Sequence, residues 1–231
     1  GSFILFNTGN AIPASSHRLL STVAWKMKSS SPCYALEGGA FTAGASVQWF
    51  RDGLGAIRSS SEIELLAKKV KSSDGVVFVP GFVGLGAPHW RPNVRASFFG
   101  LTRGSTKAHM ARAVLEGIAL MNADILITMQ KDLKKPLTEL KVDGGAVKNN
   151  LLMQYQADIL NVNLCRPKVI ETTALGAIFA AGLGVGIWRD FSGIKKAWKK
   201  EKLFKPQMKN DERSNILSRW TKIISALKSL D

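Results

Sequence analysis

Cysteine, acidic side chains and long uncharged segments are all scarce in this sequence. The 231 residues include two cysteines, Cys33 and Cys165, which lie far apart and have no histidine at metal-binding spacing. Neither a disulfide framework nor a zinc site is indicated, so a reducing, cytoplasmic location is the simplest expectation. The longest run without a charged residue, 172–188, is shorter than the roughly 20 residues that a membrane helix needs, so we expect no membrane partner. Its many Gly and Ala residues predict a tightly packed core helix instead.

The shortage of acidic residues leaves a strong positive charge. Lys and Arg number 32 against 17 Asp and Glu, which gives a formal net charge of +15. Such a field attracts nucleic acid, anionic membranes or phosphorylated ligands. Hydrophobic residues make up 45% and charged residues 21% of the chain, which is typical of a globular protein and excludes a disordered chain, a collagen or a coiled coil.

The amino terminus carries no recognisable targeting segment. It has neither a basic leader nor a cleavage pattern, which argues against a signal peptide. The first residue is Gly1 and not Met, which a trimmed initiator, a cloning remnant or a start within a longer protein would each explain. The strand-like segment 3–6 directly after it favours the last of these.

Short apolar runs separated by turns open the chain. Those at 3–6, 19–27 and 33–36 predict three strands in an antiparallel arrangement. A helical pattern after residue 42 and another over 61–70 follow, and then a buried strand at 76–80. The next stretch is a long Gly- and Pro-rich loop of the kind that often serves function. Ser105 or Thr106 is expected to cap the longest helix, whose apolar stripe predicts core packing.

From residue 140 onward strands and helices alternate. Strands are predicted at 140–143 and 162–165, and a helix follows each, the second over 172–181. Such parallel crossover units, added to the antiparallel start, predict an α/β fold with a mixed sheet and helices on both faces. Residues 1–190 are assigned to one domain, and the lysine-rich residues 191–231 to a helical C-terminal extension of that domain.

Two junctions could bind a nucleotide. Gly144 and Gly145 stand between a strand and a helix, where bare backbone and free helix N–H groups suit phosphate, and Asn149 can pair with the edge of a base. The alternative is a plain tight turn with Asn149 as a helix cap. The second junction places Gly44 and Gln48 four residues apart on one helical face. Two helix starts at a shared crevice would suit a nucleotide.

Other polar residues have competing interpretations. Asp143 could be a base or a metal ligand, or only a turn acceptor. The three histidines, His17, His89 and His109, lack ligand spacing and are interpreted as structural or exposed. Six lysines of the tail indicate either a solvated helix face or contact with a phosphate backbone: Lys195, Lys196, Lys199, Lys200, Lys202 and Lys205.

Seven blocks, in order along the chain, resemble the carboxy-terminal half of the glycerol kinases, which belong to the FGGY carbohydrate kinases. The similarity covers nearly the whole chain, and the family has a ribonuclease H-like fold shared with actin and the Hsp70 ATPase domain. The matching blocks are residues 3–9, 34–38, 43–49, 80–90, 100–104, 142–147 and 171–176.

This resemblance implies an ATP-dependent transfer of phosphate to glycerol that uses Mg²⁺. Gly44, Gln48, Gly145 and Asn149 match positions that contact ADP or ATP, and Phe3 matches a residue that lines the glycerol pocket. The general base and most glycerol contacts belong to the amino-terminal half of the family, so no catalytic residue and no metal ligand is assigned here. The missing amino-terminal domain is the implied partner, a homo-oligomer stays open, and the chain alone is expected to be inactive.

The sequence departs from the family at Arg91, where Asp is common, and at Ala96, where Gly is usual. Both lie in the irregular loop. Another sugar kinase of the same family, such as a xylulokinase, is one alternative, which Phe3 and block 34–49 disfavour. A basic nucleic-acid-binding protein on a ribonuclease H-like scaffold is the other. A nuclease of that fold needs clustered carboxylates, and only Asp143 is suitably placed, so no specific nucleic acid partner is expected.

Overall fold

The computed structural model describes residues 1–28 and 30–230. An antiparallel sheet forms the amino-terminal part from β1 (Ser2–Gly9), β2 (Leu20–Trp25) and β3 (Cys33–Ala40), in the order β1-β3-β2. The predicted antiparallel start is confirmed. β3 takes the centre because apolar side chains on both of its faces are buried, among them Ala35 and Leu36.

Two helices and a short hairpin-like pair follow. The helices are α1 (Gly44–Asp52) and α2 (Glu62–Ala67), and the second ends three residues earlier than predicted. β4 (Val77–Val79) then pairs antiparallel with β5 (Ser97–Phe99). Backbone bonds between Leu85 and Arg91 in both directions, at 2.8 and 3.0 Å, tie the loop between these strands together. The loop therefore keeps a defined, hydrogen-bonded backbone although it has Arg91 where the family commonly has Asp.

The long helix α3 (Lys107–Leu133) forms the centre of the molecule. Thr106 is its N-cap, as predicted, and the backbone N–H of Thr106 donates to Nδ1 of His109 at 3.1 Å. Side chains are buried all around α3, which packs against β1, β3, β4 and three other helices. At Gly117 an added Cβ would lie 2.2 Å from the carbonyl oxygen of Phe78, so only glycine permits this close contact between helix and strand.

A third sheet, which is mixed, completes the carboxy-terminal part. β6 (Glu139–Lys141) and β7 (Asn163–Pro167) are parallel and connected through α4 (Asn150–Leu160), as the strand–helix alternation predicted. β8 (Lys200–Phe204) pairs antiparallel with the other edge of β7. The extension at 191–231 therefore contains a strand as well as helices, which the prediction of a helical segment missed. β7 supplies the partner that makes this short lysine-rich segment extended.

The helix α5 (Thr172–Gly184) differs from its prediction. We expected a tightly packed core helix, and this was wrong, because Gly182 is its only buried residue among those described and Ile178 is 59% exposed. Its apolar sequence indicated burial, but no neighbouring element covers most of its surface. In the described part of the chain, no helix is both long and apolar enough to cross a membrane.

The last two helices are α6 (Phe191–Ala197) and α7 (Asn210–Lys228). Trp220 of α7 is 1% exposed and fixes this helix to the core. All six tail lysines named above are exposed, which agrees with a solvated surface, although four of them lie outside the helices of the tail.

Candidate functional site

The glycine pair after β6 forms an open turn. Gly144 has a φ of +84°, a left-handed conformation that favours glycine, and its N–H donates to the carbonyl of Ile170 at 2.9 Å. Gly145 is exposed, its φ is not in that region, and a Cβ built on it would meet no atom within 4 Å. The backbone at Gly145 can therefore accept a ligand lying directly on it.

Asn149 caps α4. Its Oδ1 accepts a bond from the backbone N–H of Leu152 at 2.9 Å, which is the cap geometry that the alternative interpretation expected. A 3-10 turn, Gly145–Lys148, separates the glycine pair from α4. The helix that the sequence predicted after the glycine pair therefore begins about one turn further on, where Asn149 provides the cap.

The start of α1 offers unoccupied hydrogen-bond donors. Its N-cap residue is Ala43, whose side chain cannot accept a bond from the first turn, and no acidic residue lies in that turn. A Cβ on Gly44 would meet nothing within 4 Å, and Gln48 is exposed one turn further on. Free N–H groups and the positive end of the helix dipole make this terminus suitable for a phosphate.

A contact from α2 reaches the junction at Gly145 and Asn149. Oε2 of Glu64 accepts a bond from the backbone N–H of Asn150 at 3.3 Å, so the segment that follows α1 packs against the first residue of α4. Lys68 pairs with the other oxygen of the same carboxylate. The structure therefore places α2 against the start of α4, beside the junction at Gly145.

Phe3 lies on the outward face of β1. It is 65% exposed and pairs in register with Gly39, while its neighbour Ile4 points to the core and is 6% exposed. Leu5, on the same face, is 51% exposed. The predicted substrate-lining residue thus stands in an apolar exposed strip of the sheet.

Asp143 acts as a turn acceptor. Its Oδ2 accepts a hydrogen bond from the hydroxyl of Thr172 at the start of α5, which fixes the glycine turn to that helix. Across residues 1–28 and 30–230, no three His, Cys, Asp or Glu side chains converge on a point where they could hold a metal ion.

A cavity of about 440 Å³ lies elsewhere and contains none of the predicted site residues. It lies between α3, α4 and α7, where Nε of Arg112 pairs with Glu116 at 2.9 Å. Burial raises the pKa of Glu116 above its ordinary value, although bonds from Arg112 and Ser73 oppose this change. The sequence does show Arg112 and Glu116 one turn apart within an apolar helix, a signal that we did not interpret.

The three histidines each have a partner, as a structural role requires. His109 bonds to Thr106, His17 to Asp132 and His89 to Asp124. The last two carboxylates were missed as candidates because they lie 115 and 35 residues away from their partners.

Comparison with known proteins decides the family. The C-terminal domain of the FGGY family of carbohydrate kinases matches residues 1–185, which is most of the chain. The chain belongs to this family. This FGGY chain is 57% identical over 224 residues to a glycerol kinase of Bdellovibrio bacteriovorus, with coverage of 97% of the chain and 45% of that kinase.

Solved structures confirm the fold of the FGGY chain. A glycerol kinase of Plasmodium falciparum with ADP has a TM-score of 0.88 and 36% identity, and the match covers 97% of this chain and 45% of that one. A ligand-bound xylulose kinase of Lactobacillus acidophilus has a TM-score of 0.81 and 27% identity, covering 98% and 45%. The expected α/β fold of the actin- and Hsp70-like ATPases is therefore confirmed. The chain spans about half the length of the relatives it matches.

Proposed function

We propose that the chain is the nucleotide-binding, carboxy-terminal part of a glycerol kinase, which transfers a phosphoryl group from ATP to glycerol in the cytoplasm. The observation that carries the proposal is the open backbone at Gly44 and Gly145, in a chain 57% identical to a glycerol kinase. A Cβ added at either glycine would meet no atom within 4 Å, and we place the nucleotide in this open space. The two free cysteines agree with the proposed compartment.

Each predicted residue has a role that its position allows. The uncapped N-terminus of α1 would donate N–H groups to phosphate oxygens, and the exposed amide of Gln48 could add a further bond. Gly145 would let the nucleotide lie on the backbone, and Asn149 would donate through its Nδ2 while its Oδ1 holds the cap. When bound, ATP with Mg²⁺ supplies the phosphoryl group and neutralises its charge. The described residues do not form a cage for Mg²⁺, so we assign no ligand to it here.

The remaining half of the kinase is the proposed partner. We infer that it supplies the general base and most contacts to glycerol, since the chain corresponds to 45% of its relatives. Exposed apolar side chains support such a partner: Ile178 on α5, and Phe3 and Leu5 on β1, are each more than half exposed. Covering them would remove apolar surface from water.

Glycerol is favoured over a sugar as the substrate because the chain is more similar to glycerol kinases than to the sugar kinases of the family. Glycerol kinases reach 57% identity, whereas the solved xylulose kinase has 27%. Phe3 would line the substrate pocket, where an aromatic ring suits the carbon backbone of a small polyol.

The proposal is tested by replacing Gly145. Gly145→Val should abolish ADP binding in calorimetry, because the new side chain fills the ligand space, while the circular dichroism stays that of the wild type. Gly104→Val is the matched control, since its Cβ would meet only a side-chain oxygen at 3.7 Å and it lies outside both junctions. Equal ADP affinity in wild type and Gly145→Val would refute the assignment. Loss of affinity in both variants would show a general effect and also refute it.

A further inference from the structure

A second concave surface lies away from the proposed nucleotide contacts. A cavity of about 390 Å³ opens between the loop before β2, the segment after the glycine-rich loop, α3 and the end of α7. His17, Arg18, His89, Arg91, Thr128 and Lys228 line it. None of the residues assigned to the nucleotide or to glycerol is among its lining residues.

One face of α3 organises this cavity. Asp124, Thr128 and Asp132 follow one another at four-residue spacing, which places them in a row along the helix. Asp132 accepts from Ser15 at 2.6 Å and lies 2.6 Å from Nδ1 of His17. Asp132 thus holds Ser15 and His17 in the wall of the cavity.

Asp124 is engaged in the same way. Its Oδ2 lies 2.7 Å from Nε2 of His89 and accepts from Nε1 of the buried Trp220 at 2.8 Å. Because both aspartates already accept hydrogen bonds, they fix the orientation of two imidazole rings at the cavity.

Three basic side chains complete the lining. Burial lowers the pKa of Lys228; Asp124 opposes this effect, whereas Arg91 and Arg18 strengthen it. Among the described residues, neither Lys228 nor Arg18 forms an ion pair with a carboxylate. Lys228 and Arg18 therefore share one concave surface, where a bound anion would reduce their mutual repulsion.

The backbone beside the cavity is also strained. Arg18 and Trp90 both have a positive φ, +67° and +51°, and Nε1 of Trp90 donates to the carbonyl of Arg18 at 2.8 Å. Residues other than glycine rarely adopt this conformation, and such strain concentrates at sites with a function. The bond fixes Arg18 at the cavity rim.

We propose that this cavity binds the phosphate group of a small phosphorylated molecule. Paired imidazoles and carboxylates can also hold a metal ion, but no third ligand joins the two rings in the described structure, and Lys228 and Arg18 would repel it. A volume of about 390 Å³ suits a small molecule. A nucleic acid would need an extended row of cations rather than a walled pocket.

The test uses the full chain with two probes, inorganic phosphate and glucose 6-phosphate, and glucose as the neutral control. Calorimetry should give one saturable site for a phosphate-bearing probe. Lys228→Gln and Arg18→Gln should each weaken it roughly tenfold or more, because a charged donor is lost. Lys222→Gln removes the same charge from an exposed position of α7 outside the cavity and should leave the affinity unchanged. Tighter binding of glucose 6-phosphate than of phosphate would identify an ester as the ligand, and the reverse would identify free phosphate.

Three outcomes would overturn the proposal. The first is no saturable binding of either probe, and the second is equal weakening in Lys222→Gln, which would indicate only the field of the +15 charge. The third is a short DNA duplex that binds more tightly than both probes, persists at about 200 mM salt and depends on Lys228, because nucleic acid would then be the ligand. Gly145→Val should keep phosphate binding, so failure here and failure of the proposed ADP site are distinguishable.

Discussion

Asn149 combines a structural and a proposed binding role in one side chain. Its Oδ1 caps α4, and the proposed nucleotide contact requires its Nδ2. Asn149→Ala should lose both, destabilising the chain by about 1 kcal/mol in urea unfolding and weakening ADP binding. Asn149→Asp keeps an acceptor for the cap and should unfold like the wild type, yet still bind ADP more weakly because it has no amide donor. Unchanged ADP affinity in Asn149→Asp would mean that Asn149 is only a cap.

The Asp132 carboxylate makes stability depend on pH. Burial raises its pKa, but bonds from Ser15, His17 and the N–H of Ser16 outweigh this and keep the pKa below its ordinary value. A carboxyl group whose pKa is lowered by folding stabilises the protein above its unfolded pKa, about 3.9, and loses this contribution as the pH falls through the folded pKa. Asp132→Asn should therefore cost about 1–3 kcal/mol at neutral pH and progressively less below about pH 4.

Urea unfolding at a series of pH values measures this difference. Asp52→Asn is the control, since Asp52 also has a lowered pKa, through its bond to Arg51, but its side chain is 63% exposed. Solvent screens an exposed pair, so this variant should change stability little at any pH. A cost for Asp132→Asn that stays constant down to the lowest pH would contradict the role given to its charge.

Among the elements, α5 combines an apolar sequence with an exposed surface. Ile178 is 59% exposed, whereas Ile125 on α3 is fully buried. Ile125→Ala should cost about 2–5 kcal/mol in unfolding free energy, because it leaves a cavity. Ile178→Ala should stay within about 0.5 kcal/mol of the wild type. A large cost for Ile178→Ala would show that α5 is buried in the isolated chain.

Local signals predicted most elements, and long-range contacts account for what was missed. Thr106 predicts the start of α3 from sequence alone, because a capping residue acts within one turn of its helix. The burial of α5 could not be deduced, since periodicity shows that a face is apolar but not what covers it. β8 needs β7 as a partner, and the His17–Asp132 pair joins residues 115 apart. At the candidate site, the open glycines were predictable from residue type, but the use of Asn149 as a cap was left undecided.

The extension at 191–231 illustrates the same dependence on contacts. We propose that it belongs to the same domain as residues 1–190, because β8 extends the sheet of β7 and Trp220 enters the core. The family model ends at residue 185, whereas the match to the Bdellovibrio bacteriovorus glycerol kinase covers 97% of the chain and so includes most of this extension.

For the whole molecule, we propose that the active site of the kinase is divided between its two halves, which predicts that neither half is active alone. The isolated chain should show no glycerol-dependent ATP turnover, because the base that we assign to the other half typically contributes about 10²- to 10⁴-fold. Adding the amino-terminal half of a glycerol kinase should restore turnover in a coupled assay. Gly145→Val should abolish this rescue, whereas Gly104→Val should retain it. Turnover by the isolated chain would contradict the division, and Asp143 would then be the first residue to replace.

The position of α3 also determines how the molecule unfolds. It lies against strands of the first two sheets and against α4, which packs on the third, while within the described residues the three sheets share no hydrogen-bonded ladder. Side-chain packing on α3 therefore links the sheets, together with the contacts that α4 makes with α2 and α7. Opening α3 would remove a wall from two sheets and the support of the third in one event. The chain should thus unfold as one cooperative unit, although its strands form three separate sheets.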